Sequence, residues 1–339
     1  MKRVISANNL LLVGIVVAGA VILGIATSGQ FFGPVSMTSF FRFVSVPILI
    51  GLAQMITLCV GQLNLAVGAI GGVSACVTGV IVTSWGVPPW IGALVAVLAG
   101  ALLGLANGLI VVGTRINGFI VTLAMSQILI GLQYALVGTR TIGRDAWPEL
   151  AAFGRSDILG IPTIFLLTLL VAVIVALYFA QTVSGRTLLA SGGNASAAQL
   201  AGISADRAVV VAHTLSGLLC GVAALVSISF LPGVNTTVGG DWLLPSFAAP
   251  IIGGVALAGG TVAVLGTVLA AMVVRLVDAA SPIFRFDAEV VNFVVGAVVL
   301  GTVALGKLRE VQASRHASRI RSLRAEAALA ETPFAEVKR

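Results

Sequence analysis

Apolar residues in this chain come in long unbroken runs. There is neither the strict alternation of a half-buried strand nor the one-sided stripe of a surface helix. Mainly apolar stretches occupy about 9–28, 42–60, 64–84, 90–112, 118–138, 162–182, 207–230, 243–259, 261–280 and 288–306. Each approaches the ~20 residues that a helix needs to cross the hydrocarbon layer of a bilayer. The pattern predicts an all-α integral membrane protein with about ten transmembrane helices. Almost nothing separates the second run from the third or the eighth from the ninth, so eight or nine spans stay open. Lys2 and Arg3 precede the first run, which is long for the apolar part of a cleaved signal and is followed by more membrane; it reads as an uncleaved span. Glycine inside such runs favours close helix packing over breakage. Gly100, Gly104 and Gly108 form a stripe on one face of the fourth run.

Charge agrees with this picture and orients it. Charged residues make up 9% of the 339 positions, against about 25% in a soluble domain. Residues 307–339 alone hold eight basic and four acidic side chains, which divides the chain into a transmembrane domain, 1–306, and a basic tail, 307–339. In the tail, Leu308, Val311, Ile320, Leu323 and Ala327 recur at rough helical spacing among arginines. That pattern fits a helix lying on anionic lipid as well as it fits a disordered segment. With the N-terminus inside and an even number of spans, thirteen Lys and Arg fall on the cytoplasmic side and five outside. Both termini are therefore expected in the cytoplasm. The net charge of +7 is explained by this asymmetry, so no nucleic-acid partner is expected.

Sites of chemistry are sparse. Cys59, Cys76 and Cys220 lie in apolar stretches without ligand spacing and read as small filler, so no metal is expected. Gly301 to Leu308 fits a phosphate-loop pattern, but Leu308 stands where Ser or Thr should hold magnesium, and the stretch ends a spanning helix. No cofactor is expected, and any ATP would be bound by partner subunits. Intramembrane-enzyme signatures are also absent, so the chain is not expected to be an enzyme. Polar side chains inside spans are the candidates for a solute path, because lipid exposure of an unsatisfied group is expensive. They are Gln54, Asn64, Asn107, Gln127, Gln133 and Asn292. Amides suit an uncharged, hydroxyl-rich solute; their other use is bonding between helices. His213 reads as a packed residue. Arg275 and Asp278, one turn apart near the outer end of the ninth run, are expected to pair or snorkel.

The most informative segment is the predicted cytoplasmic loop 183–206. Gly192-Gly193 is expected to break what precedes it, Asn194 or Ser196 to cap a two-turn helix, and Gly202 to stop it. Such a small, nearly uncharged helix suits docking of another protein. Here the chain resembles a known family. Ser191-Gly-Gly-Asn-Ala-Ser-Ala-Ala-Gln-Leu-Ala-Gly-Ile203 is similar to the cytoplasmic loop of ribose-type ABC importer permeases. Leu103–Ile110, Asn117–Leu123 and Ala249–Gly260 resemble further blocks of that family, in the same order. Two positions depart from it: Asn64 stands where the family usually has an acidic residue, and Asn117 where it usually has Pro.

The resemblance implies an arrangement of helices like that of an ABC importer permease, with a definite set of partners. Two ATP-binding cassette subunits would grip the loop helices, and an extracellular or periplasmic solute-binding protein would deliver the solute. A second permease copy or paralogue would complete the path. The expected solute is a monosaccharide or related small neutral polyol. Gly192, Gly193, Asn194, Ala195, Ala198, Leu200 and Gly202 are the expected ATPase-coupling residues, and Ala198→Arg is expected to uncouple transport. The competing reading is an ion-coupled secondary transporter. It is weakened because Asp241, Asp278, Asp287 and Glu289 all fall near predicted span ends.

Overall fold

The structure, a computed structural model, describes residues 7–284 together with Phe293, Gly296, Ala297, Leu300 and Gly301. Asn292, most of the tenth run and the tail lie outside the described residues. In chain order the helices are α1 (Ala7–Ala26), α2 (Pro34–Cys59), α3 (Val67–Trp85), α4 (Pro89–Thr114), α5 (Gly118–Val137) and α6 (Pro148–Arg155). They continue with α7 (Thr163–Gln181), α8 (Val183–Gly193), α9 (Ala195–Leu200), α10 (Ala205–Phe230), α11 (Leu243–Ile252) and α12 (Val264–Phe284). Eight of them, α1–α5, α7, α10 and α12, are long and apolar enough to cross a membrane. Their ends follow local chemistry. Proline at the first position opens α2, α4 and α6, where its missing N–H costs nothing. Asn117 caps α5 through the Phe119 N–H, and Gly86 closes α3 in the left-handed region at φ 64°.

The helices run alternately up and down. One end of the bundle gathers the N-termini of α1, α3, α5, α10 and α12, the C-termini of α2 and α4, and the helices α8 and α9. Asn8 at the start of α1 donates to the Gly253 carbonyl at 3.2 Å, and Gly260 N–H donates to the Cys59 carbonyl at 2.8 Å. Helix α2 is the axis of the molecule. Val44 to Cys59 are buried apart from Pro47, as a helix apolar all round requires. The outer helices expose apolar side chains instead, such as Leu102 on α4, Ile128 on α5 and Ile174 on α7, a surface suited to lipid.

The most extensive helix contact joins α4 to α10, and the glycine stripe explains it. A methyl at Gly100 would overlap the Gly217 carbonyl oxygen, and one at Gly104 would overlap that of His213. Gly217 and Gly221 answer from α10, facing Gly100 and the Ala96 carbonyl. Two backbones touch here with no side chain between them, so the packing expectation for the stripe agrees with the structure.

One expectation needs correction. The eighth run, 243–259, is not a continuous span. Only Leu243–Ile252 is helical, because Gly253 and Gly254 end it and Gly254, Gly259 and Gly260 take φ of 96°, 93° and 75°. The short helix is preceded by the non-helical segment 231–242, which runs along α3. Val238 and Gly239 abut Gly72 and Gly68, while Ile142, the antiparallel partner of Val234, abuts Gly79. The loop 139–160 is also ordered. Trp147 is fully buried, its Nε1–H donates to the Ile228 carbonyl at 3.2 Å, and α6 follows it. Two short ladders complete this end: β1 (Ile142–Gly143) with β4 (Gly233–Val234), and β2 (Asp157–Ile158) with β3 (Ile161–Pro162).

Candidate functional site: a docking end and a polar cavity

The segment 183–206 forms two helices, where the sequence predicts one. The Thr182 side chain accepts the Gly185 N–H at 2.9 Å and opens α8, which continues through Gly192 and Gly193. The pair of glycines therefore does not break the helix. Gly192 is needed because a Cβ there would overlap the Cys59 carbonyl and crowd the Gly260 N–H at 2.8 Å. The break comes at Asn194, which is extended (φ −158°) and caps α9 by accepting the Ala197 N–H at 3.0 Å. At the other end, Ile203 N–H donates to the Ala198 carbonyl and Gly202 N–H to the Gln199 carbonyl, with Gly202 at φ 79°. This is a Schellman ending.

The result is a short capped knob packed on α8 and α10, and α8 in turn abuts the end of α2 and the Gly253–Gly260 turn through Gly192. Leu200 is 92% exposed on it, and Ala195 and Gly202 are exposed too. Ala198 is not a free contact: it is 5% exposed and packs inward, so Ala198→Arg would damage the seat before it tested docking. Beside the knob, Arg115 and Asp206 form a bidentate pair at 2.7 and 2.8 Å across the ends of α4 and α10. The hydrogen bond with Asp206 raises the Arg115 guanidinium above its ordinary pKa. The pair rims a cavity of about 390 Å³ that also holds Gln62 and Asn117.

The five described pathway amides occupy varied places. The Gln54 side chain, with its amide oriented to suit its neighbours, pairs with the Asn64 backbone at 2.9 and 3.2 Å. The Asn64 Oδ1 accepts the Ala66 N–H at 3.0 Å and its Nδ2 donates to Ser216 Oγ at 3.1 Å. Gln133 Nε2 donates to the Ala69 carbonyl at 3.4 Å, and Gln127 lies exposed. The amide of Asn107, Oε1 of Gln133 and both ring nitrogens of His213 have no partner among the described residues.

Asn64 thus holds the turn that leads into α3 and ties it to α10. A neutral carboxylic acid could accept the same N–H and donate to Ser216 Oγ, so Asn64→Asp is expected to fold normally in its protonated form. Asn64→Leu strands two buried partners and is expected to lose about 1–3 kcal/mol. Thermal melts in detergent check both; equal melting of the two variants would remove this role from Asn64.

A larger cavity, of about 800 Å³, lies toward the opposite end between α2, α10, α12 and the segment 231–242. Arg275 and Asp278 line it together with Asp241. Arg275 Nη1 is 3.7 Å from Asp278 Oδ2, and its Cζ sits 4.8 Å from the centre of the Phe43 ring. None of the five described amides lines either cavity. Sequence reasoning missed this cluster because Asp241 falls in a predicted loop, and the inward course of that loop is not visible in a linear pattern.

Eight membrane-length apolar helices packed around a buried α2 make this a multi-pass membrane protein. Residues 36–303 match the family model described as a branched-chain amino acid transport system / permease component, and the chain belongs to that family. It is 27% identical over 307 residues to the fructose import permease protein FrcC of Rhizobium meliloti, covering 88% of this chain and 85% of that one. It is 31% identical over 265 residues to the autoinducer 2 import system permease protein LsrC of Enterobacter sp. (strain 638), covering 78% and 76%. With the D-allose transport system permease protein AlsC of Escherichia coli (strain K12) it shares 28% over 274 residues, covering 80% and 83%. These relatives are transport permeases rather than enzymes. No solved structure matches the chain.

Proposed function

We propose that this permease imports a monosaccharide or related small polyol as the membrane-spanning part of a binding-protein-dependent system driven by ATP. The observation that carries the reading is the knob at 194–202, held by Asn194 and Gly202 and anchored through Gly192 to α2 and the Gly253–Gly260 turn. Two ATP-binding cassette subunits bear on its exposed residues Ala195, Leu200 and Gly202. The knob passes their movement to α8, which touches two further elements through Gly192. One of these, α2, lines the larger cavity through Phe43, Val46 and Ile50, and the turn leads into α12, which carries Arg275 and Asp278. A solute-binding protein delivers at the opposite end, and a second permease copy or paralogue completes the complex. Both termini then lie in the cytoplasm.

The sugar class follows the names of the relatives above, although the family model is described by a branched-chain amino acid system. Asn107 and Gln133, with hydrogen-bonding atoms unpartnered among the described residues, remain path candidates.

Uptake by the reconstituted complex, with its binding protein and ATPase, tests this directly. Sugar accumulation should require ATP and stop with vanadate. Accumulation by the permease alone under an ion gradient, or uptake of L-leucine in place of any sugar, overturns the proposal.

A further inference from the structure

The import reading leaves solute selection unassigned between the binding protein and the permease. We propose, resting on that reading, that the 800 Å³ cavity is itself a solute site selective for neutral polyols over anionic ones. A cavity of this size lies in the range of small-molecule sites. Among the described residues its charged lining is Asp241, Arg275 and Asp278, with one negative charge in excess. Carboxylates accept the paired hydroxyls of a polyol, while phosphorylated or carboxylated sugars would meet repulsion and lose their hydration.

The guanidinium is under-used for its five donors. Its one carboxylate contact is loose, at 3.7 Å, and Nε has no partner among the described residues. It is held over the Phe43 ring and lines the cavity, where its remaining N–H donors suit a solute oxygen. Asn235 and Thr237 add polar atoms from the segment 231–242, and Trp242 adds an aromatic wall. Donors, acceptors and apolar faces around a net negative charge suit a sugar ring. An amino-acid zwitterion needs a cationic pocket for its carboxylate, and here Asp278 already stands beside the cation.

Binding of labelled D-fructose, D-allose, D-fructose 6-phosphate and L-leucine to the purified permease–ATPase complex, without binding protein, tests the site. At least one neutral sugar is expected to bind, at least tenfold more tightly than the phosphate or leucine. Asp278→Asn and Asp241→Asn should each weaken it about tenfold. Asp241 is exposed, so its variant escapes the folding risk that attends Asp278. Unchanged binding in both variants, equal binding of the phosphate or leucine, or no sugar binding at all overturns the site. Uptake by the complete importer separates the two ideas. ATP-driven sugar uptake alongside failed binding leaves the importer standing without this site, whereas no sugar uptake removes the importer reading itself.

Discussion

Gly104→Val is expected to prevent the permease from assembling stably in the membrane. The atoms that a side chain would strike are the His213 carbonyl and the Gly217 backbone, at 3.0 Å from Cα and 3.1 Å from N, so no flexible side chain can move aside. Relief would require α4 and α10 to separate along their whole shared seam. That separation would also pull on the Arg115–Asp206 pair and on Asn64–Ser216, which both hold α10 to its neighbours. Overpacking in a close-packed core costs about 1–3 kcal/mol where side chains can adjust, and the cost at a backbone contact exceeds that range. Loss of more than about 3 kcal/mol removes a large part of the stability of a typical domain. The measurement is the monodisperse yield and melting temperature in detergent. Gly113→Ala serves as the control, since nothing lies within 4 Å of that position on the same helix. A Gly104→Val protein that melts with the wild type would show that the seam does not hold the bundle together.

Leu200→Asp carries the second large effect, on transport rather than folding. Leu200 is 92% exposed, so the change removes no contact within the chain, and the melting temperature should stay constant. Docking of an ATPase over the knob would bury the new carboxylate unpaired, at a cost of several kcal/mol. A loss of about 3 kcal/mol weakens docking more than a hundredfold. ATP-driven uptake is therefore expected to fall to background, and the ATPase should no longer co-purify. Ala198→Arg makes a contrast: with Ala198 buried beneath the knob, it should lower both uptake and melting temperature. Wild-type uptake by Leu200→Asp would move the motor contact away from α9.

Much of this molecule was legible because lipid simplifies the code. A span must be long, apolar and internally hydrogen-bonded, so the predicted runs 90–112, 118–138 and 162–182 fall within two residues of α4, α5 and α7 at each end. The capped helix at 195–200 was legible for a similar reason, since Asn194 and Gly202 act through their own neighbours in the chain. The eighth run misled because hydropathy records only that a segment is buried. Residues 243–259 are apolar whether they form a helix or a glycine turn against Cys59. The pathway amides stay ambiguous in sequence for the same reason: burial in lipid demands a partner, and Gln54 and Asn64 find theirs within the fold.

From the sequence alone came the membrane class, the helical runs, the predicted orientation and the knob, because each rests on interactions close along the chain or on overall charge. The tertiary structure decided which polar groups share a space. Asp241 and the pair Arg275–Asp278 are over thirty residues apart and belong to different elements. Only the inward course of 231–242 against α3, made possible where Gly68 and Gly72 leave room for its backbone, brings them to one cavity. Contacts of that kind are set by backbone approach in three dimensions, which no local pattern of residues encodes.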